Sequence, residues 1–418
     1  MKKQFMIFLR QFPSFVFFIC LVNMYSHAQA QVGGRDGIKE VRIDLNNAKG
    51  GVVSDFFNQV SYIPLESTKN AVFGRITQLE ITDNYFIILD DDTNCILLFE
   101  KSGKFHCKIK GGGGYRDPRK MIVGFTVNRF KKQIIFKKSE QDVYHIYDFD
   151  GKKISEVDFQ KFGYWNSIYY ISPENFISDN GYGNKNNGKQ TNFITFVKEL
   201  NQPYQNFLPR TNGDYLGGDV FGANGGPFYY SGMKRPLLYT KSYDYTIYSI
   251  TDSLVSPWFK FIFPAVNTIP ADFFTNEEYN GKKVKYFEDN GQKIYLLSNC
   301  FNINNNFIFR ANTTGSGLKK NYLLNFASGK LICLDRVRTD KLASFIPLTN
   351  SDSFNQYGFM ACDGTSIYSS ISSANFVDYI KKSNAENPAL GDSMKKMFKS
   401  INAQQNPIIR MMNISDNF

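Results

Sequence analysis

The residues best suited to binding chemistry are aromatic and arginine side chains in long, glycine-flanked connections. Aromatic rings stack on the faces of sugars or bases, and arginine pairs with carboxylates through charge-assisted hydrogen bonds. Loops on a rigid scaffold carry such groups without harming the core, so we expect these residues to form a ligand site on one face of the fold. Packing between strands is the competing explanation for the aromatic members. The candidate ligand-binding residues are Tyr115, Arg116, Arg119, Trp165, Tyr229, Tyr230 and Arg235.

Motifs of catalysis and metal binding are missing from the sequence. No His-Glu-x-x-His or Gly-x-Ser-x-Gly pattern occurs, so zinc peptidase and α/β-hydrolase chemistry have no motif support. The acidic run at 90–94 lacks the glycine and glutamate of an EF-hand and favours a turn. We predict no catalytic residue, no metal ligand and no cofactor. A glycosidase pair of carboxylates stays open, because such pairs meet only in space.

The segments between these connections are short strands in a repeating unit. The chain has 40 Phe and 25 Tyr, residue types that favour the pleated surface of a sheet. One unit runs through residues 85–109 with a turn at Gly103, and the next has its turn at Gly151, 48 residues later. Strand repeats of this length are typical of propeller blades. With four more degraded copies, the prediction is an all-β, six-bladed β-propeller.

The strand pattern is interrupted near the C-terminus. Residues from about 375 to 403 have helical character, and Met394, Met397, Phe398 and Ile401 follow the spacing of one buried helix face. Residues 408–414 then return to a strand pattern. We therefore predict a short helical insertion in the last blade, before the ring-closing strand. For closure we predict that residues 408–414 pair with residues 41–45, which would remove two exposed strand edges.

The first 30 residues have the features of a signal peptide. A basic start precedes an apolar run at 12–22, and Ala28-Gln29-Ala30 is a small-x-small cleavage site. The predicted domains are therefore a signal peptide at 1–30 and one propeller over 31–418. Lipid attachment at Cys20 is the alternative, although Ile19 stands where a small residue is needed. We expect a protein of the periplasm or the outer cell surface, without a lipid anchor or a transmembrane segment.

The net charge favours one class of ligand, and the number of cysteines bears on disulfide pairing. The formal charge of +11 becomes +8 when Lys2, Lys3 and Arg10 are removed with the signal peptide. The basic residues are scattered rather than clustered in one block, and export argues against nucleic acid as the partner. The positive net charge and the candidate arginines favour an anionic ligand. Five cysteines remain, an odd number, and their spacing in strands predicts that they are unpaired. We expect a monomer.

Four motifs in a fixed order carry a family resemblance. They are Tyr-Ile-Pro-Leu-Glu at 62–66, the hairpin at 97–105 followed by Gly111 to Gly114, Tyr-Thr-Ile-Tyr at 245–248, and Asn-Pro-Ile-Ile at 406–409. Through these the chain resembles the six-bladed β-propeller proteins of unknown function from gut-type Gram-negative bacteria. That family tends to carry a Pro-Gly-Glu-Tyr segment after the glycine run. Here residues 115–119 differ, which implies a different ligand if that loop contacts it.

Three functions fit this sequence. The first is an exported, non-catalytic binding or scaffold propeller of the cell envelope, with a glycan, an anionic ligand or an envelope protein as its partner. The second is a glycan-active lyase or hydrolase with its site at the central mouth of the propeller. The third is a structural partner of outer-membrane uptake proteins. The lining of the central channel separates the first two, because close carboxylates favour catalysis whereas aromatics and arginines favour binding.

Overall fold

The protein is a six-bladed β-propeller with a helical insertion in its last blade, as the sequence predicts. A computed structural model describes residues 31–33, 37–112, 120–139, 143–158, 167–180, 192–198, 202–210, 228–316, 318, 320–349, 358–386, 391–416 and 418. Six sheets follow one another around a ring, and the innermost strand of each sheet faces the central axis.

The first described elements belong to blades that are formed much later in the sequence. They are β1 (Gln31–Gly33), β2 (Lys39–Arg42), a 3₁₀ turn (Leu45–Asn47), β3 (Lys49–Val52), α1 (Val53–Phe56) and β4 (Phe57–Pro64).

Blades 1 to 3 are antiparallel sheets of four consecutive strands. Blade 1 contains β5 (Gln78–Ile81), β6 (Tyr85–Asp90), β7 (Cys95–Glu100) and β8 (Phe105–Lys110). Blade 2 contains β9 (Ile122–Asn128), β10 (Gln133–Lys138), β11 (Val143–Asp148) and β12 (Lys153–Asp158). Blade 3 contains β13 (Ser167–Tyr170), β14 (Asn175–Asp179), β15 (Asn192–Lys198) and β16 (Gln202–Pro209).

Blades 4 to 6 include the N-terminal strands. Blade 4 contains β17 (Phe228–Tyr229), β18 (Leu237–Tyr239), β19 (Thr246–Ile250) and β20 (Val255–Ile262). After a 3₁₀ turn (Glu277–Tyr279) and α2 (Lys283–Asp289), blade 5 contains β21 (Leu296–Ile303), β22 (Asn306–Asn312), β23 (Asn321–Asn325) and β24 (Leu331–Arg338). Blade 6 contains β25 (Ala361–Cys362), β26 (Ser366–Ile371), the inserted helices α3 (Ser373–Glu386) and α4 (Asp392–Ser400), and β27 (Ile408–Ile414).

The N-terminal strands visit three blades in turn. β2 lies parallel to β20 of blade 4, and β3 lies parallel to β24 of blade 5. Together β2 and β3 form an N-terminal strap (residues 39–52) around the outside of the ring. At Gly50 the strap comes so close to blade 5 that a Cβ atom would lie 2.5 Å from the Arg336 carbonyl oxygen. Glycine is therefore required there for the strap to reach its partner strand.

Ring closure uses a different strand from the predicted one. The prediction that residues 41–45 pair with residues 408–414 is wrong, because β27 pairs antiparallel with β4, with Met411 opposite Ser61. Val41 packs instead against Phe259 and Phe261 of blade 4. Since β4 also leads into blade 1, it joins the last blade to the first and covers the edge of β27.

The apolar cores lie between neighbouring blades and hold the inner strands around the axis. Between blades 6 and 1, Phe86 meets Tyr368 edge to face at 6.0 Å, and Ile409 belongs to the same cluster. The five cysteines in the described part of the chain are unpaired, and four of them are buried in these strands. Packing of this kind fixes the position of the inner strands, and these form the wall of the central channel.

Candidate functional site

The central channel contains a cavity of about 610 Å³. All six blades contribute to its wall through their innermost strands, for example with Gln78, Phe125, Tyr169, Phe301 and Cys362. Ligand sites commonly have volumes of about 300–1,000 Å³ and mix apolar walls with a few polar groups. Because every blade repeats the same strand order, the inner strands begin at one end of the channel and finish at the other. We call the end at which the inner strands begin the mouth, and the end at which they finish the floor.

A network around Arg129 lies at the floor. Arg129 directly follows β9, and its guanidinium donates to the Glu80 carboxylate of blade 1 and, at 2.9 Å, to the Tyr169 hydroxyl of blade 3. The guanidinium carbon also lies 4.0 Å from the centre of the Tyr230 ring of blade 4. One arginine therefore links four blades at the same end of the channel.

Burial and the neighbouring charges together shift the pKa values of this network. Burial alone lowers the pKa of Arg129, but Tyr169 and Glu80 outweigh it and raise that pKa above the ordinary arginine value. Burial raises the pKa of Tyr169, and Arg129 opposes the rise only in part. Burial likewise raises the pKa of Tyr230. At neutral pH the floor thus holds a charged arginine and two neutral tyrosines.

The chain after β17 crosses the floor, and we call residues 230–235 the floor segment. Its Ser231 hydroxyl accepts a hydrogen bond from the Asn302 backbone N–H at 3.0 Å, and its Arg235 side chain donates to Asn304 Oδ1 at 2.9 Å. Gly232, with φ +101°, approaches blade 6 so closely that a Cβ atom would lie 2.8 Å from Gly364 Cα. Together with Tyr230 against Arg129, these contacts connect blade 4 to blades 2, 5 and 6.

Among the described residues, two cations line the cavity towards the mouth, Lys137 on β10 and Arg310 on β22. Both lie on the second strand of their blade, opposite the small residues Gly124 and Ser298 of the innermost strands. Burial lowers the pKa of Arg310, while Asp335 and Tyr295 oppose that shift in part. Small residues on the inner strand thereby let long cationic side chains reach the cavity.

Two carboxylates are found among the described residues of the cavity wall. Glu80 pairs with Arg129, and Asp91 accepts a hydrogen bond from the Thr77 hydroxyl at 3.0 Å. Each carboxylate therefore already has a protein partner. In the part of the chain that the structure describes, no three His, Cys, Asp or Glu side chains come together in a way that would hold a metal ion.

Comparison with known protein families supplies the wider context for this site. Residues 40–413 match a family model described as Domain of unknown function (DUF4934). The chain belongs to this family. The match covers every blade, so the cavity is formed entirely within the DUF4934 domain. A comparison with curated proteins finds no match.

The comparison with solved structures finds chains similar to this DUF4934 chain. One is named "Putative exported protein" from Bacteroides fragilis NCTC 9343; it is 15% identical, with a TM-score of 0.63, over 90% of this chain and 99% of that one. Another, a member of the duf4221 family from Bacteroides vulgatus ATCC 8482, is 10% identical with a TM-score of 0.43, over 86% of this chain and 98% of that one. At these identities the first structure shows a shared fold.

The predicted ligand residues occupy different places. Tyr229 and Tyr230 line the cavity, whereas Arg235 lies on the floor segment. The other four, Tyr115, Arg116, Arg119 and Trp165, lie outside the described residues. The chain on both sides of residues 113–119 is fixed by Asn94, whose side chain donates to Gly112 O at 2.8 Å and to Lys120 O at 3.0 Å. The assignment of these seven residues to one site stays a prediction.

Sequence reasoning missed the residues that line the channel from within strands. Glu80, Arg129, Tyr169, Lys137 and Arg310 stand in or beside apolar strand segments, where polar residues alternate with buried ones. A glycine inside a strand, such as Gly124, was one available signal, because it often marks a close approach. No spacing rule, however, brings residues from four blades to one axis.

None of the helices among the described residues combines the length and the apolar character that crossing a bilayer requires.

Proposed function

We propose that the chain is an exported, non-catalytic binding propeller of the cell envelope, which holds a glycan or an anionic ligand in its central cavity. The observation that carries this proposal is the cavity of about 610 Å³, which is walled by all six blades and lined, in the described part of the chain, by tyrosines, amides and two cations. Aromatic faces and convergent polar groups are what a small polar ligand requires.

Binding is favoured over glycan cleavage by the state of the cavity carboxylates. A glycosidase needs one carboxyl group to give a proton and a second to act as base or nucleophile. Glu80 is engaged by Arg129 and Asp91 by Thr77, so both are occupied as hydrogen-bond acceptors for the protein itself. The tyrosines and arginines of the cavity and its floor favour ligand binding instead.

Export is part of the same proposal. We propose that residues 1–30 are a signal peptide and that residues 31–418 form one propeller in the periplasm or at the outer cell surface. The features at 1–30 support it, as does the name "Putative exported protein" of the structural relative. N-terminal sequencing of the native protein tests it, with Gln31 expected first and an acylated Cys20 contradicting it.

A cavity-blocking variant tests the binding site. Val123 lines the cavity and is 64% exposed, so Val123→Trp places a large ring in the open space. Val266→Trp is the matched control, because Val266 is 50% exposed and is not part of the cavity wall. Both variants and the parent are screened against acidic and neutral glycans. We expect Val123→Trp to lose about tenfold or more in affinity, whereas unchanged binding by this variant would contradict the cavity as the site.

A further inference from the structure

We propose that the ligand of the central cavity is a neutral, hydroxyl-rich saccharide, whose end sugar binds at the floor between the Glu80 carboxylate and the hydroxyls of Tyr169 and Tyr230. This inference rests on the proposed function and names the ligand class and the groups that select it. Three observations carry it: unused hydrogen-bonding groups at the floor, the arginine that gathers them, and the balance of charge along the channel.

The floor has hydrogen-bonding groups that the protein leaves unused. The Tyr169 hydroxyl accepts from Arg129 at 2.9 Å, and among the described residues its own proton has no acceptor. The Tyr230 hydroxyl has no hydrogen-bond partner in the described part of the chain, although its ring packs on the Arg129 guanidinium. Glu80 accepts from Arg129 through Oε2, and no described residue donates to its second oxygen, Oε1. These three residues line the cavity, so its floor offers a ligand two donors and one acceptor.

Arg129 brings these groups together. Its Nη2 donates to Glu80 Oε2 and its Nη1 to the Tyr169 hydroxyl, so the two acceptors are held by the terminal nitrogens of one planar group. The centre of the Tyr230 ring lies 4.0 Å from the guanidinium carbon and 6.2 Å from the centre of the Tyr169 ring. The unused donors and acceptor therefore surround one small region, although they come from blades 1, 3 and 4.

This combination of groups suits a hydroxyl-bearing ligand better than an acid. A sugar hydroxyl both donates and accepts, so one hydroxyl can donate to Glu80 while neighbouring sugar oxygens accept from the tyrosines. A ligand carboxylate only accepts, and the charge of Glu80 would repel it at the same place. Arg129, which would attract a carboxylate, does not line the cavity itself.

Two further features of the floor suit a sugar. The Tyr169 hydroxyl accepts from a charged donor, which makes it a stronger donor in turn. Phe228 also lines the cavity, and the centre of its ring lies 6.3 Å from that of Tyr169. Its aromatic surface gives the apolar C–H face of a sugar ring a place to pack.

The charge along the channel favours the same ligand class. Among the described residues, three cations and three carboxylates line the cavity or lie directly behind its wall. They are Lys137, Arg310, Arg129, Glu80, Asp91 and Asp335. Because the two signs are equal in number, an anionic ligand would leave the channel with an unbalanced negative charge, whereas a neutral ligand keeps the balance.

Calorimetric titration with matched probes tests the inference. The matched pair is trigalacturonic acid and galactotriose with the same linkages, which carries a neutral hydroxymethyl group in place of each carboxylate. Cellotriose and mannotriose extend the neutral set. We expect the best neutral trisaccharide to bind the parent about tenfold or more tightly than trigalacturonic acid does.

Glu80→Gln separates recognition from a structural role. This change keeps an oxygen beside Arg129 and removes the negative charge, so it should weaken the neutral trisaccharide by about tenfold and strengthen the binding of trigalacturonic acid. A general loosening of the floor would weaken both probes instead. Glu40→Gln, at the exposed pair with Arg42, is the matched control and should change neither.

Tyr169→Phe tests the hydroxyl donor while it keeps the aromatic ring. It should weaken the neutral trisaccharide by about tenfold, because a sugar oxygen loses its donor. The matched control is Tyr204→Phe, since Tyr204 is 47% exposed on β16 and lies outside the cavity wall. Thermal unfolding of each variant is compared with that of the parent.

The outcomes separate this inference from the proposed function. If trigalacturonic acid binds as tightly as the best neutral probe or more tightly, and Val123→Trp abolishes its binding, the neutral class is wrong while the cavity remains the binding site. If a neutral probe binds, but Glu80→Gln and Tyr169→Phe leave its affinity unchanged, the floor assignment is wrong.

Two other outcomes reach further. If no trisaccharide binds, the neutral-saccharide inference is overturned, and the wider glycan screen decides the proposed function. Because the floor segment crosses one end of the channel, a trisaccharide reaches the floor past Val123, near the start of β9. Binding that Val123→Trp does not change therefore overturns both the inference and the proposed function.

Discussion

Two arginines, a largely buried one at the channel floor and a fully buried one in the closing blade, are held in different ways. Arg129 at the floor pairs with the Glu80 carboxylate and contacts the side chains of Tyr169 and Tyr230. Arg410 on β27 is completely buried, and its guanidinium donates to the backbone carbonyls of Leu348 and Pro347, both at 3.0 Å. Arg129 orders side chains that face a cavity. Arg410 instead anchors the backbone of residues 347–348 to the closing strand β27, and we call this region of contact the seam.

The direction of the pKa shift reflects this difference. Burial lowers the pKa of both groups, but at Arg129 the neighbouring Tyr169 and Glu80 outweigh burial, whereas at Arg410 burial dominates over Tyr62. A cation without a compensating carboxylate is costly, so its hydrogen bonds must offset that cost. We infer that changes at the seam alter the stability of the ring, whereas changes along the channel mainly alter what it binds.

The largest effect is expected from removing the closing strand. A chain that ends before Asn406 lacks β27, and with it the buried Ile408, Ile409 and Met412. Each such side chain contributes about 1.5–3 kcal/mol, and two sheet edges become exposed, so the ring should lose about 5 kcal/mol or more. Thermal unfolding measures this loss. Among the described strands and helices, a chain that starts at residue 38 lacks only the edge strand β1, so it should unfold almost like the parent. An unchanged melting temperature for the C-terminal truncation would contradict the closure.

The next largest effect is expected at the seam arginine. Arg410→Ala leaves the carbonyls of Pro347 and Leu348 without their donors, and each buried orphan acceptor costs about 1–3 kcal/mol. We expect a loss of about 3 kcal/mol in the free energy of unfolding, measured in urea. Arg338→Ala, at an exposed position of β24, is the control and should change little. Equal stability of both variants would show that the seam does not depend on Arg410.

A smaller effect is expected at the floor. Glu80→Gln removes the charge that balances Arg129 but keeps an oxygen that accepts from it, and both side chains are partly screened by solvent, at 21% and 12% exposure. We expect a loss of about 1–2 kcal/mol in the free energy of unfolding. Glu40→Gln is the matched control, because Glu40 pairs with Arg42, which is 56% exposed. A loss as large as that of Arg410→Ala would remove the distinction between floor and seam.

Local sequence patterns predict most of the fold but neither the ring closure nor most of the channel lining. The blade repeat, the helical insertion and the final strand follow from local patterns, such as the turns at Gly103 and Gly151, and the structure confirms them. The closing partner did not follow, because residues 41–45 and 57–64 both fit an edge strand, and alternation does not specify which blade an edge joins. The same limit applies to the channel. Tyr229 and Tyr230 were found as aromatics near glycines, whereas Arg129 and Glu80 meet only because the ring closes.

The smallest change in stability is expected from filling the cavity itself. Val123 lies on the innermost strand of blade 2 and is 64% exposed, facing a cavity of about 610 Å³. Val123→Trp should therefore alter the free energy of unfolding by about 0.5 kcal/mol or less, as for an ordinary surface substitution. The matched control is Val127→Trp on the same strand, where Val127 is 1% exposed and packed between blades 1 and 2. Overpacking of that core should cost about 1–3 kcal/mol. Urea unfolding of the two variants compares open with filled space on a single strand. If Val123→Trp were as destabilising as Val127→Trp, the space beside Val123 would be filled in the folded protein, and the channel would be a core like the seam rather than a site.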